Sequence, residues 1–315
     1  MSNYYFADIS HHKGELDISV FAQAGHRLVI SKASDSYHLP DKEGNYNFAA
    51  DRHYDSRFVE NYVKTRENGL AAGAYHFFRF DRPLPVTNRV QIVKKNLEYF
   101  QIAIGMLPSA HQDIQCVILD IEQSATQLIA AGLNKASVSD MAIDMVKLFA
   151  EHYKYLILYS GSWWTNEWLT WDCTEWMAER MAVWEPEYRI QDGSVVPPDV
   201  DYQPSVPKGF STEYVTSVDD FNGKMFAWQF SSKGNFFGVN NIDTNQYRMP
   251  KDEVFKLFNT DGSVDPPEPP VPPVVEGIPK EDVDTLLAEL AALRFNDDAA
   301  YSEVVDAFMA EHDLE

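Results

Sequence analysis

The stretch Gln115-Cys116-Val117-Ile118-Leu119-Asp120-Ile121-Glu122 ends an apolar run with two acidic residues. A short, nearly continuous apolar run is typical of a parallel strand that is buried on both faces. Seven further strand-like runs alternate with amphipathic stretches over the first 260 residues, and this order predicts a parallel α/β architecture. Together the predicted strands are Tyr4–Asp8, Arg27–Lys32, Ala72–Phe78, Gln115–Glu122, Tyr155–Ser160, Met181–Trp184, Met225–Phe230 and Val239–Asp243. Eight strands in this order predict an irregular (β/α)8-like barrel.

Helical periodicity is clear only in the first half of this region. The predicted helices are Asp17–Ala24, Ser56–Asn68, Thr87–Ile104 and Ser137–Tyr153. Between Trp184 and Met225 the sequence contains prolines, glycines and short polar runs instead. We therefore expect the late crossover helices of the barrel to be missing.

A proline-rich segment, Asp265-Pro266-Pro267-Glu268-Pro269-Pro270-Val271-Pro272-Pro273-Val274, divides the chain. Such a density of proline excludes a helix or a central strand and predicts a stiff, extended linker. We assign residues 1–260 to the barrel, 261–278 to the linker and 279–315 to an acidic tail. The tail has two apolar stripes at helical spacing, which predict a small helical hairpin. About 40 residues rarely form a core alone, so we expect this hairpin to form a homo-oligomer or to dock on a partner.

The composition excludes several classes of function. The chain carries 48 acidic and 26 basic residues, a net charge of −22, which disfavours binding to nucleic acid or to an anionic membrane surface. It contains no apolar run of about 18 residues, so we expect no membrane insertion. The N-terminus lacks a basic segment followed by an apolar one, which predicts no signal peptide and synthesis in the cytoplasm. The two cysteines, Cys116 and Cys173, are interpreted as buried apolar residues.

Acidic residues follow three of the predicted strands. Asp8 ends the first strand, Asp120 and Glu122 end the fourth, and Asp243 ends the last. The carboxyl ends of the strands of such a barrel meet at one face, where active sites are built. We therefore expect these four carboxylates to converge on one mouth.

Asp120 and Glu122 are two residues apart, so on a strand both side chains point to the same side, about 6–7 Å apart at the backbone. Neighbouring carboxylates push their pKa values apart, so that one keeps its proton near neutral pH. Cleavage of a glycosidic bond needs such a pair, with an acid for the leaving oxygen and an anion for the oxocarbenium-like centre. Glu122 has the longer side chain and is the better candidate for the acid.

Aromatic residues support a sugar-binding face. Six of the seven tryptophans lie within 22 residues, and Trp228 follows in a late strand. Indole faces pack well on the apolar faces of sugar rings, although we expect about half of these tryptophans to belong to the core. In Tyr75-His76-Phe77-Phe78, one alternate set should face the barrel interior and the other set the helices.

Two less specific interpretations stay open from the residues alone. Asp120 and Glu122 could be solvated, or paired with Lys32 or Arg79. A metal cluster could form from the residues His11, His12, His76, Asp120 and Glu122. Adjacent histidines on an extended segment point to opposite faces, so at most one of these two could join the cluster, and we expect no metal. We also expect no cofactor.

These acids and several short motifs resemble the glycoside hydrolase family 25 lysozymes, which are N-acetylmuramidases. The resemblance covers residues from about 4 to 250. The motifs that carry it are Asp8-Ile9-Ser10, Gly73-Ala74-Tyr75-His76-Phe77, Leu119-Asp120-Ile121-Glu122, Tyr159-Ser160-Gly161, Trp184 with Tyr188, Trp228-Gln229-Phe230-Ser231 and Asp243-Thr244-Asn245. Seven motifs in the order of the family are specific as a set.

The resemblance implies a barrel that lacks its later helices and hydrolysis of the β-1,4 bond between N-acetylmuramic acid and N-acetylglucosamine in bacterial peptidoglycan. It implies that Glu122 is the general acid/base and that Asp120 stabilises the acetamido group of the substrate or the positive charge at the sugar carbon. Asp8 and Asp243 would complete the acidic cluster. The residues implied to line the sugar groove are Tyr75, Tyr159, Trp184, Tyr188 and Trp228.

The chain departs from the family at Glu185-Pro186-Glu187, where an alanine and a basic residue are more usual, and two loops are longer than usual. A muramidase without a signal peptide is typical of a phage endolysin that acts on the cell wall after release, and the tail would then mediate oligomerisation or cell-wall recognition. The alternatives are a catalytically inactive sugar-binding barrel, a chitinase-like enzyme and a metal-dependent hydrolase.

Overall fold

The structure is a computed structural model that describes residues 3–35, 54–81, 89–189, 193–194, 202–236 and 239–258, and the following sections refer to these residues. The chain separates into two units, residues 1–264 and 265–315, and all described residues belong to the first. The predicted linker and tail helices therefore lie outside the described residues. None of the described helices is long and apolar enough to cross a lipid bilayer.

Eight strands close into a barrel in sequence order. They are β1 (Tyr4–Ile9), β2 (Leu28–Asp35), β3 (Ala71–Phe77), β4 (Cys116–Asp120), β5 (Tyr155–Tyr159), β6 (Ala182–Pro186), β7 (Met225–Phe236) and β8 (Val239–Tyr247). Strands β1 to β7 run parallel to their neighbours, whereas β8 is antiparallel to both β7 and β1. The prediction of an irregular (β/α)8-like barrel is confirmed.

The helices lie outside this barrel or close its ends. They are α1 (Ser19–Gln23), α2 (Phe58–Glu67), α3 (Arg89–Gly105), α4 (Ala125–Ala130), α5 (Lys135–Ala150), α6 (Ser162–Trp168), α7 (Trp171–Ala178) and α8 (Lys251–Phe258). The four predicted helices correspond to α1, α2, α3 and α5, with ends that differ by a few residues. The described residues between β6 and β7 contain no helix, as expected, because a proline- and glycine-rich segment connects these strands.

The structure corrects the prediction for the last strand. It does not end at Asp243 but continues to Tyr247, and it pairs with β7 as a long hairpin. A hairpin reverses the direction of the chain, so β8 enters the barrel from the mouth. Asp243 therefore reaches the mouth from the middle of an antiparallel strand, directly opposite Asp8.

Alternate residues of each strand separate into an inner and an outer core. On β4, Ile118 packs inside the barrel, whereas Val117 and Leu119 pack against the helices. Helix α8 closes the end of the barrel opposite the mouth, where Phe258 joins the inner core. A Cβ atom at Gly73 would lie 3.1 Å from the Phe258 ring, so glycine permits this close approach. The opposite end stays open and carries the acidic residues.

Because the barrel has its own closed core, we expect removal of residues 266–315 to leave it folded. The shortened protein should melt in one cooperative transition, with a Tm close to that of the full chain. Calorimetry on both proteins measures this directly. Loss of the cooperative transition would show that the domain boundary proposed from the proline-rich segment is misplaced.

Candidate active site

The four predicted carboxylates line one pocket at the open end of the barrel. β1 contributes Asp8, β4 and the residues after it contribute Asp120 and Glu122, and β8 contributes Asp243. The other lining residues are Tyr75, Ile118, Tyr159, Trp184, Tyr188 and Gln229. The structure therefore brings together eight of the nine site residues predicted from the sequence.

Asp120 and Glu122 face the pocket because the strand alternation continues beyond the end of β4. Asp120 is the last strand residue, and the backbone N–H of Ile121 still donates to the carbonyl of Tyr159 at 2.9 Å. Ile121 packs in the outer core, so its two acidic neighbours point inward. Among the described residues neither carboxylate forms an ion pair, and Asp120 Oδ1 is buried without a hydrogen-bond partner. Lys32 pairs instead with Asp35, with 2.7 Å between Nζ and Oδ2.

Asp8 and Asp243 are cross-strand partners on β1 and β8. Asn245 Nδ2 donates to Asp8 Oδ2 at 2.8 Å, and Lys13 Nζ lies 3.4 Å from Asp243 Oδ2. Like charges directly opposite each other on paired strands are destabilising. The amide and the ammonium group offset part of this repulsion.

Burial raises the pKa of every carboxyl group in this cluster. The pKa of Glu122 is raised to about 7, first by burial and then by the charge of Asp243. Burial also holds the pKa values of Asp8 and Asp120 well above their usual range, and the neighbouring carboxylates Asp243 and Glu122, respectively, raise them further. The pKa of Glu122 therefore lies near neutral pH, which is the condition for general acid catalysis.

Aromatic side chains form the floor and one wall of the pocket. Trp184 is buried beneath it and donates from Nε1 to Asn245 Oδ1 at 2.9 Å. The Tyr159 ring lies edge-on to Trp184, with 4.8 Å between ring centroids, and its hydroxyl donates to Gln229 Oε1. Tyr188 lies at the rim, half exposed. These rings offer apolar contact surfaces beside the carboxylates.

The structure does not bring Trp228 to the pocket. Trp228 alternates with Gln229 on β7, and only Gln229 points inward. The indole of Trp228 packs in the outer core and donates from Nε1 to the carbonyl of Glu187 at 2.9 Å. The resemblance implied Trp228 as a groove residue, but the alternation along β7 turns Gln229 to the pocket and Trp228 to the outer core.

The histidines of the hypothetical metal cluster have other partners. His11 Nδ1 lies 2.6 Å from Asp55 Oδ2, and the buried His76 contacts Ser34 and Asn96 on the helix side of β3. In the part of the chain that the structure describes, no group of three His, Cys, Asp or Glu side chains is arranged to hold a metal ion.

Three polar residues of the site were not predicted: Gln229, Asn245 and Lys13. Gln229 and Asn245 stand in motifs that carried the resemblance, and both could have been found by continuing the inward alternation along β7 and β8. Lys13 lies in a short 3-10 turn, His11–Lys13, and no periodic signal marks it. Only the pairing of β1 with β8 brings Lys13 to the acidic cluster.

Lys13→Met should move the acidic limb of the pH–activity profile to higher pH by about one unit, because an opposite charge at this distance favours the ionised carboxylate. The Lys13 ammonium opposes the effect of burial on the pKa of Asp243. Rates measured across the pH range test this, and Lys13→Arg serves as the charge-conserving control. An unchanged acidic limb in Lys13→Met would contradict the role of Lys13.

A barrel with an acidic, aromatic-lined mouth is the architecture of a sugar-cleaving enzyme, with a carboxyl group that stays protonated near neutral pH. The model of the family described as glycosyl hydrolases family 25 matches residues 7–239. The chain belongs to this family, and it is a glycoside hydrolase of the lysozyme type.

The chain is also similar to individual proteins. Lysozyme M1 of Streptomyces globisporus is 24% identical over 255 residues, which cover 80% of this chain and 70% of that protein. The crystal structure of a lysozyme from Streptomyces coelicolor is similar in fold, with a TM-score of 0.55 and 20% identity over 82% of this chain and 99% of that chain. The structure of the CTP1L endolysin gives a TM-score of 0.50 and 19% identity over 81% of this chain and 69% of that chain.

Proposed function

We propose that this protein hydrolyses the β-1,4 bond between N-acetylmuramic acid and N-acetylglucosamine in bacterial peptidoglycan, with Glu122 as the general acid/base. The observation that carries the proposal is the convergence of Asp8, Asp120, Glu122 and Asp243 on one pocket. Family membership supports the substrate class.

Glu122 is suited to protonate the glycosidic oxygen. Its pKa is raised to about 7, so a large fraction of the enzyme carries the proton at neutral pH. The side chain stays partly exposed, unlike the buried Asp8 and Asp120, and is therefore the carboxyl group that a bound glycan can reach. After the bond breaks, the Glu122 carboxylate can accept a proton from the attacking water.

Asp120 is suited to stabilise the cationic side of the reaction. It precedes Glu122 by two residues and faces the same pocket, where positive charge develops at the sugar carbon. Its buried, unpartnered Oδ1 can accept a hydrogen bond from the acetamido N–H of the substrate. Asp8 and Asp243 add negative potential in the same pocket.

The test of the substrate class compares purified peptidoglycan with chitin oligomers. We expect turnover of peptidoglycan and weak or no turnover of chitin, and the same rates in the presence of EDTA. Faster cleavage of chitin would favour a chitinase-like enzyme. Binding without turnover of either polymer would favour a catalytically inactive sugar-binding barrel.

We further propose lysis of a bacterial host as the biological setting, with peptidoglycan as the partner and with the tail in oligomerisation or cell-wall recognition. The fold likeness to an endolysin supports this setting. Expression in bacteria tests it: lysis should follow only when a membrane pore is opened as well. Lysis without a pore would contradict storage in the cytoplasm.

A further inference from the structure

Trp163 stands in the first turn of α6, the helix that follows the mouth end of β5, and it does not line the pocket described above. Trp163 is the second residue of α6, and it follows the pocket residue Tyr159 by only four positions. It is 61% exposed, which is unusual for a tryptophan in a chain whose other indoles are mostly buried. Trp163 therefore presents a large apolar surface to solvent close to the mouth of the barrel.

The first turn of α6 is fixed to the barrel on two sides. The backbone N–H of Ser162 donates to Glu185 Oε1 at 2.7 Å, which ties the turn to β6. Trp164 Nε1 donates to the carbonyl of Gln123 at 2.8 Å, which ties it to the residue that follows Glu122. The turn that carries Trp163 is therefore held beside the catalytic carboxylates.

The indole of Trp163 also lies directly on the backbone of Gly161. A Cβ atom at Gly161 would lie 2.2 Å from Trp163 Nε1 and 2.6 Å from Cδ1. Any larger residue at position 161 would displace the ring, because real Cβ atoms do not approach so closely. The indole therefore packs against the glycine backbone while most of its surface stays in solvent.

Trp171 provides a comparison within the same chain. It is 60% exposed, but the Lys208 ammonium lies 3.5 Å from the centroid of its ring. The ring of Trp171 therefore already has a partner within the protein. No aromatic or cationic group among the described residues stacks on Trp163. Its exposed surface is thus available to a ligand.

We propose that Trp163 forms an additional saccharide-binding subsite, on which a sugar ring of the glycan strand stacks beyond the two sugars at the cleaved bond. This inference rests on the proposed function, because a polymeric glycan must continue past the pocket. A fixed aromatic ring is suited to the apolar face of a pyranose and loses little conformational entropy on binding.

The test is a series of glycan strands of increasing length, with KM and kcat measured for wild type, Trp163→Ala and the control Trp171→Ala. We expect Trp163→Ala to raise KM on long strands about tenfold, a loss of about 1.4 kcal/mol. Its kcat and its KM on the shortest cleaved strand should stay unchanged. Trp171→Ala should behave as wild type, and Trp163→Phe should restore most of the affinity.

Gly161→Ala is a second variant that leaves the indole in the chain but displaces it. It should raise KM on long strands as Trp163→Ala does, with an unchanged Tm. Equal KM values for wild type and Trp163→Ala at every length would overturn the proposal. A loss that is the same at every length, or that comes with a lower Tm, would show a structural role instead and would also overturn it.

Binding of the same strands is measured in parallel on a Glu122→Gln background by calorimetric titration. This keeps the test of Trp163 separate from the proposed function. If wild type fails to hydrolyse the strands, the proposed function fails, but the dependence of the dissociation constant on strand length still decides whether Trp163 binds sugar.

Discussion

Glu122→Gln is expected to lower kcat on peptidoglycan by about 100-fold or more, in the range expected for removal of a general acid. Glutamine keeps the size of the side chain but carries no transferable proton at neutral pH. Because the pocket keeps its shape and its aromatic residues, binding of peptidoglycan should survive. Release of soluble fragments from dye-labelled peptidoglycan measures the rate, and co-sedimentation with the polymer measures the binding.

The matched control is Glu98→Gln, the same substitution at an exposed glutamate on α3 that pairs with Lys95. It should leave both rate and binding unchanged. Activity of Glu122→Gln within a fewfold of wild type would remove Glu122 from the role of acid. Loss of binding together with rate would instead indicate damage to the pocket.

The second large effect is the loss of activity at alkaline pH. Glu122 acts in its protonated form, and its pKa of about 7 is the result of burial and of the Asp243 charge. Above this pH, kcat/KM should fall about tenfold per pH unit, because that quantity reports the acid in the free enzyme. The measurement is kcat/KM from pH 4 to 9 at constant ionic strength, and a flat profile between pH 7 and 9 would contradict it.

The pH dependence of thermal stability tests the raised pKa of Glu122 independently of catalysis. A carboxyl group whose pKa is raised in the folded state stabilises the protein in its protonated form. For Glu122 this stabilisation is fully present below pH 4.5, the pKa in the unfolded chain, and it is lost as the pH rises through the folded-state pKa of about 7. Glu122→Gln has no such group, so above pH 7 its free energy of unfolding should exceed that of wild type by up to about 3 kcal/mol. This difference corresponds to a Tm that is higher by several degrees. The difference should disappear below pH 4.5. A Tm difference that does not depend on pH would contradict the raised pKa.

The sequence was sufficient for features that depend on local periodicity. The apolar run before Asp120 identified a buried strand, and its alternation placed Asp120 and Glu122 on the same side. The long amphipathic stretches of α3 and α5 were found for the same reason. The short helices α6 and α7 were not predicted, because seven or eight residues give little periodic signal and their tryptophans obscured it.

The features that the sequence did not reveal depend on pairing between distant segments. Asp243 reaches the pocket as the cross-strand partner of Asp8 in an antiparallel strand, although it was predicted at the end of a parallel one. Lys13 meets Asp243 only through that pairing. The family resemblance implied that Trp228 lines the groove, whereas the strand turns Gln229 inward. In each case the strand partner decides which side chain reaches the site.

Digestion of purified peptidoglycan, with the new reducing ends identified by mass spectrometry after reduction, tests the central claim most directly. Wild type should produce new reducing ends at N-acetylmuramic acid, and Glu122→Gln should produce none above background. New ends at N-acetylglucosamine, or equal amounts from both proteins, would contradict the proposed bond or the proposed acid.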